Sequence, residues 1–83
     1  MPTHIFTWKY PTDKEVTLYG SFNNWSYGTN LFLDASNKLI VPIVLDSGTH
    51  YYKFKVGDEW CYDICEPTQT DPNGNVNNVI ILL

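Results

Sequence analysis

Turn-forming residues cut this chain into pieces too short to present a packed helical face. Residues 34–38 (DASNK), 46–48 (DSG), 57–58 (GD) and 66–75 (EPTQTDPNGN) each interrupt an apolar run. The pieces between them are β-branched, aromatic and often alternating. In residues 51–56 (YYKFKV), Tyr52, Phe54 and Val56 fall on one side and Tyr51, Lys53 and Lys55 on the other. In residues 15–22, Val16 and Leu18 oppose Thr17 and Tyr19. Seven strands are predicted, over residues 5–10, 15–22, 31–33, 39–45, 51–56, 59–63 and 76–83, with residues 23–30 and 66–75 as loops. Pro42 removes a ladder donor, which puts the strand 39–45 at a sheet edge or on a bulge. Short strands at close spacing and no helical period predict an all-β, immunoglobulin-like antiparallel β-sandwich.

The 83 residues suffice for one domain, 1–83, with one two-layer core. Phe6 and Trp8 share a strand face and are expected in that core. Three Trp, six Tyr and four Phe exceed what so small a core hides, so some rings should face solvent. The formal charge is −4 and there is no Arg, which argues against nucleic acid and anionic membranes as partners and suits a neutral polar ligand. No apolar run approaches the ~20 residues of a membrane span, and residues 1–8 lack a secretory pattern. Cys61 and Cys65 stand in a CxxxC spacing that fits neither a redox motif nor a zinc site; two reduced thiols in a cytoplasmic protein are expected.

Among the rings, Trp25 lies in a loop of Asn, Ser, Tyr and Gly that has little core to bury an indole, and Trp60 follows the Gly57-Asp58 turn. If Cys61 faces inward, the pleat turns Trp60 outward, and Lys53 on the partner strand comes close to it. Residues 71–78 (DPNGNVNN) carry four amides: Asn73, Asn75, Asn77 and Asn78. Indoles beside an ammonium and several amides form a sugar-binding constellation. The axial C–H face of a glucose ring stacks on an indole, while amides and ammonium groups pair with its hydroxyl rim.

Residues 20–25 (GSFNNW), with KEV at 14–16, HYYKFKV at 50–56, Trp60, Glu66-Pro67 and VNNVI at 76–80, resemble the family 48 carbohydrate-binding modules, notably the glycogen-binding domain of AMP-activated protein kinase β subunits. The resemblance covers residues 5–81. It implies an immunoglobulin-like sandwich that binds α-1,4-glucans such as glycogen or starch without catalysis or cofactor. Trp25 and Trp60 match stacking residues, and Lys53 and Asn77 match hydroxyl partners. It also implies a parent protein brought to glucan, whether a kinase, a phosphatase or a glucan-metabolising enzyme. Two positions depart: Asn73 stands where kinase-type modules usually carry an apolar residue, and Asn75 where they carry Thr. The candidate carbohydrate-binding set is therefore Trp25, Lys53, Trp60, Asn73, Asn75 and Asn77.

An enzyme is the first competing reading. Asp58, Glu59, Asp63 and Glu66 crowd a hairpin and its exit rather than facing one another across a cleft, and His4 and His50 lack partners for a triad. The second is a protein-interaction sandwich using the exposed Trp residues as hot spots. No metal site is expected: the Cys and His residues are scattered, and DPNGN has too few carboxylates for a calcium loop.

Overall fold

The computed structural model describes residues 2–83. Among these residues nine strands form two antiparallel sheets: β1 (Thr3–Trp8), β2 (Val16–Gly20), β3 (Thr29–Asn30), β4 (Phe32–Leu33), β5 (Leu39–Val44), β6 (Gly48–Val56), β7 (Glu59–Cys61), β8 (Thr68–Thr70) and β9 (Val76–Leu82). One sheet runs β1-β5-β4; the other runs β3-β2-β6-β9-β8, with β7 also paired to β6. A single 3-10 turn, Ser21–Asn23, follows β2.

The sheets close over the alternating residues that the sequence pattern assigns inward. Val16, Leu18, Tyr52 and Phe54 meet Phe6, Trp8 and Val41, with Leu31 and Leu45 sealing the ends. Phe6 packs edge-on to Tyr52 at 4.8 Å between centroids, and Trp8 meets Phe54 at 4.9 Å. The molecule is thus a β-sandwich, and Trp8 is a core residue.

Three local readings are corrected. Residues 29–30 and 68–70, expected as loop, are strands β3 and β8. Both are short, and β8 is exposed along its whole length, so neither writes an inside-outside alternation into the sequence. The returning strand after Gly57-Asp58 stops at Cys61 rather than at residue 63. Finally, β5 is central in its sheet, not an edge strand. However, β4 covers only Leu39 and Ile40, while Pro42 faces Ile5 of β1. At Pro42 one side of β5 is open, so the missing donor breaks no ladder there.

The order of partners along β6 positions the site. β2 covers one edge of β6 from Tyr52 to Val56. The other edge is shared: β9 pairs as far as Tyr52, and β7 takes over from Phe54. Lys53 stands at the handover. The segment between β7 and β9 leaves the sheet there and returns as β8.

That segment is fastened from within. Asn78, fully buried, accepts a hydrogen bond from the Asp63 N–H (2.7 Å) and donates to the carbonyls of Asp63 (2.8 Å) and Pro67 (3.2 Å). Asn78 therefore faces the core side of β9 and does not belong with the sugar-facing amides, which corrects its grouping with Asn73, Asn75 and Asn77. Asp63, 1 % exposed, accepts from the Tyr10 hydroxyl (2.6 Å) and the Cys65 N–H (2.9 Å), and pairs with Lys9 at 3.3 Å. Burial pushes its pKa up, but the bonds from Tyr10, Cys65 and Lys9 outweigh that and hold it below the ordinary value. Cys61 and Cys65 are free thiols.

Candidate functional site

Outward positions on β2, β6, β7 and β9 converge on one face of the larger sheet. Tyr19 lies opposite Lys53, and Lys55 lies opposite Trp60. Residues directly opposite in a ladder project to the same face, so Tyr19, Lys53, Lys55 and Trp60 share a surface. Trp60 is 51 % exposed, and its indole meets the Tyr19 ring edge-on at 4.7 Å. The Lys55 ammonium lies 5.5 Å from the Trp60 ring centroid, a cation–π distance. Lys53, the expected neighbour, is one step further along the same face of β6.

Trp25 arrives from the loop after the 3-10 turn. Asn24 and Trp25 both have left-handed backbones, at φ 58° and 59°. For Asn this is common; for Trp it is an outlier that costs roughly 1–2 kcal/mol. The Trp25 N–H donates to the Gly20 carbonyl at 2.9 Å, and the Asn23 side chain donates to the Tyr27 carbonyl at 3.3 Å. The Ser26 hydroxyl closes onto the Asn23 carbonyl. Gly28 lets the loop lie on the sheet: a Cβ there would come within 2.2 Å of the Thr17 methyl and 2.7 Å of the Tyr19 ring. Tyr19 thus supports both the ring of Trp60 and the loop that carries Trp25. Trp25 remains 38 % exposed.

The third contribution is the turn between β8 and β9. One Asp71 carboxylate oxygen accepts the backbone N–H groups of Asn73 and Asn75, each at 2.9 Å, and the Asp71 N–H donates to the Asn75 carbonyl at 2.9 Å. The Asn75 N–H is the main cause that lowers the Asp71 pKa; burial opposes it, and the Asn73 N–H, the Asn75 side chain and nearby Lys53 add to the lowering. Gly74 sits at φ 86° in this turn, a backbone that suits glycine.

These pieces enclose an open hollow of about 450 Å³ lined by Trp25, Lys53, Trp60, Asp71, Asn75 and Asn77. Five of the six residues singled out from the sequence line it together. Asn73 does not; it is exposed at the tip of the turn. Asp71, Tyr19 and Lys55 were not singled out. Lys55 and Tyr19 carried a signal, since each shares the outward parity of a chosen or aromatic neighbour. Among the described residues no group of three or more His, Cys, Asp and Glu stands close enough to hold a metal ion. No helix among them is long and apolar enough to cross a membrane.

The chemistry on offer is two aromatic faces, one ammonium, two amides and one carboxylate around a solvent-open depression. Residues 1–82 match the family described as the glycogen recognition site of AMP-activated protein kinase. The chain is 46% identical over 77 residues to the 5'-AMP-activated protein kinase subunit beta-1 of Sus scrofa, a match spanning 92% of this chain and 60% of that protein. Against the beta-1 subunit of Homo sapiens the figures are 46% identity, 92% of this chain and 27% of that protein. The beta-2 subunit of Mus musculus is 42% identical over 67 residues, 81% of this chain and 24% of that protein. The match thus spans under two thirds of each relative's length, and with almost all of its own residues matched, this chain belongs to the family of AMP-activated protein kinase glycogen recognition sites.

Proposed function

We propose that this chain acts as one binding domain for α-1,4-glucans such as glycogen and starch, holding a curved oligosaccharide between Trp25 and Trp60. The observation that carries this reading is the single hollow that gathers both exposed indoles with Lys53, Asn75 and Asn77 from separate elements. Each indole takes the C–H face of one glucosyl ring. Lys53 donates to sugar oxygens, and the amides of Asn75 and Asn77 both donate and accept. Tryptophans on a loop and on a strand are not constrained to one plane, which favours a curved chain over flat cellulose.

Binding takes place without hydrolysis. Among the described residues Asp71 is the one carboxylate lining the hollow, and glycoside cleavage uses a pair. Asp71 already holds the turn and serves as a hydroxyl acceptor. The domain then brings a larger protein to glucan, as the kinase subunits named above suggest, and the two free thiols suit the cytoplasm.

Retention on glycogen and amylopectin, beside a cellulose control, tests the reading. Trp25→Ala and Trp60→Ala should each weaken maltoheptaose binding by about 2 kcal/mol, roughly 30-fold, while melting close to the parent. Equal retention on cellulose, released glucose above a protein-free control, or unchanged affinity in both variants would overturn it.

A further inference from the structure

A second hollow adjoins the first at Trp25. It has a volume of about 250 Å³ and shares Trp25, Asp71 and Asn77 with the first. To these it adds Tyr51, Gln69, Thr70 and Pro72. Three shared lining residues place the two hollows side by side.

The register explains why these residues meet. Tyr51 precedes Lys53 by two on β6, so it faces the same way about 7 Å along the strand. Tyr51 lies opposite Val79, and Gln69 lies opposite Asn77. Val79 and Asn77 have the same parity on β9, so Tyr51, Asn77 and Gln69 share the outer face. The Tyr51 N–H donates to the Ser21 hydroxyl at 2.9 Å, which ties this strand to the turn that leads into Trp25.

The chemistry repeats that of the first hollow with different residues: a ring face from Tyr51, an amide from Gln69, a hydroxyl from Thr70 and the shared carboxylate. At about 250 Å³, against the ~30 Å³ that one liquid water takes, the space suits one hexose ring. Resting on the function proposed above, we infer that this second hollow is an additional subsite for a single glucosyl unit, reached past Trp25 from the main chain. That unit comes either from continuation of the chain or from an α-1,6 branch, and the two sources present the same ring to Tyr51.

Calorimetry with a linear maltooligosaccharide series, and with a singly α-1,6-branched oligosaccharide of matched main-chain length, tests this on the parent, Tyr51→Thr and Gln69→Ala. Short linear ligands that fill the first hollow alone should bind all three proteins equally. The affinity gained on lengthening or branching should fall about fivefold in Tyr51→Thr and to a lesser extent in Gln69→Ala. Loss confined to the linear series assigns chain continuation; loss confined to the branched ligand assigns the branch. A gain that survives in both variants, no gain in the parent, or equal weakening of short and long ligands would overturn the subsite. If Tyr51→Thr is unfolded by its melt, Gln69→Ala, at an exposed position, decides alone. A parent protein that binds no α-glucan of any length would instead sink the proposed function itself, and the subsite with it.

Discussion

The two loops that leave the larger sheet, residues 20–28 and 62–67, are held by opposite means. The first presents Trp25 and is strained. It has two consecutive left-handed non-glycine residues and a buried Asn23 Oδ1 without a hydrogen-bond partner. The second presents nothing to the hollow and is well satisfied, with a buried carboxylate and a buried amide each making several bonds. The difference teaches where this fold spends stability. The structural loop is fixed by polar groups that must not lose a partner. The loop that carries Trp25 bears a backbone cost while its indole stands in solvent.

The sharpest way to break this contrast is Asn78→Ala. It strands the buried Asp63 N–H and takes one of two hydrogen bonds from each of the Asp63 and Pro67 carbonyls, and should cost about 2 kcal/mol or more. A urea titration reads this directly; a loss under 1 kcal/mol would mean the 62–67 loop is no better anchored than its counterpart. A smaller and pH-dependent effect is expected of Asp63→Asn. Because the folded pKa of Asp63 is lowered, its contribution is complete above the ordinary Asp value of about 3.9 and is lost as pH falls from there through the folded value. The stability gap between parent and Asp63→Asn should therefore be widest near neutrality and narrow as pH falls below the ordinary Asp value. A gap that stays constant across that range would refute the charge's role. The smallest effect belongs to the binding loop. Trp25→Gly relieves the left-handed strain and Trp25→Ala does not, so the Gly variant should melt as the more stable by about 1 kcal/mol, with glucan affinity lost in both. Equal melts would show that the strain is absorbed elsewhere.

The sandwich and its core were legible because inward residues alternate where both neighbours in the fold are sheets. Val16, Leu18, Tyr52 and Phe54 write their burial into the sequence at period two. Lys53 and Trp60 were legible for the same reason, from the outward parity. Adjacent Asn77 and Asn78 show where that reasoning stops. The pair looks alike in sequence, yet one lines the hollow and the other ties down a loop. The residues VNN have no apolar rhythm of their own, so only the register against β6 and β8 separates them. Strand β8 escaped notice because none of its residues is buried. The left-handed backbone of Trp25 has no local cause in the sequence. It accompanies the closing of the loop onto Gly20 and the close approach of Gly28 to Tyr19 on β2, contacts that no pattern of polar and apolar residues announces.

The divided edge of β6 means that the walls of the hollow rest on separate ladders. Trp60 belongs to a three-residue ladder that zips only to the end of β6, whereas Asn77 lies on β9 just past the last pair with β6, Tyr52–Asn78, and pairs with Gln69 of β8. Opening one ladder does not require opening the other. The β6–β7 ladder has three residue pairs against five in the β6–β9 ladder, and short ladders open at lower free energy than long ones. Trp60 and Asn77 are therefore carried to the hollow by separate pairings, one on β6 and one on β8, so that a change confined to the β6–β7 hairpin does not act directly on the strand pair that holds Asn77.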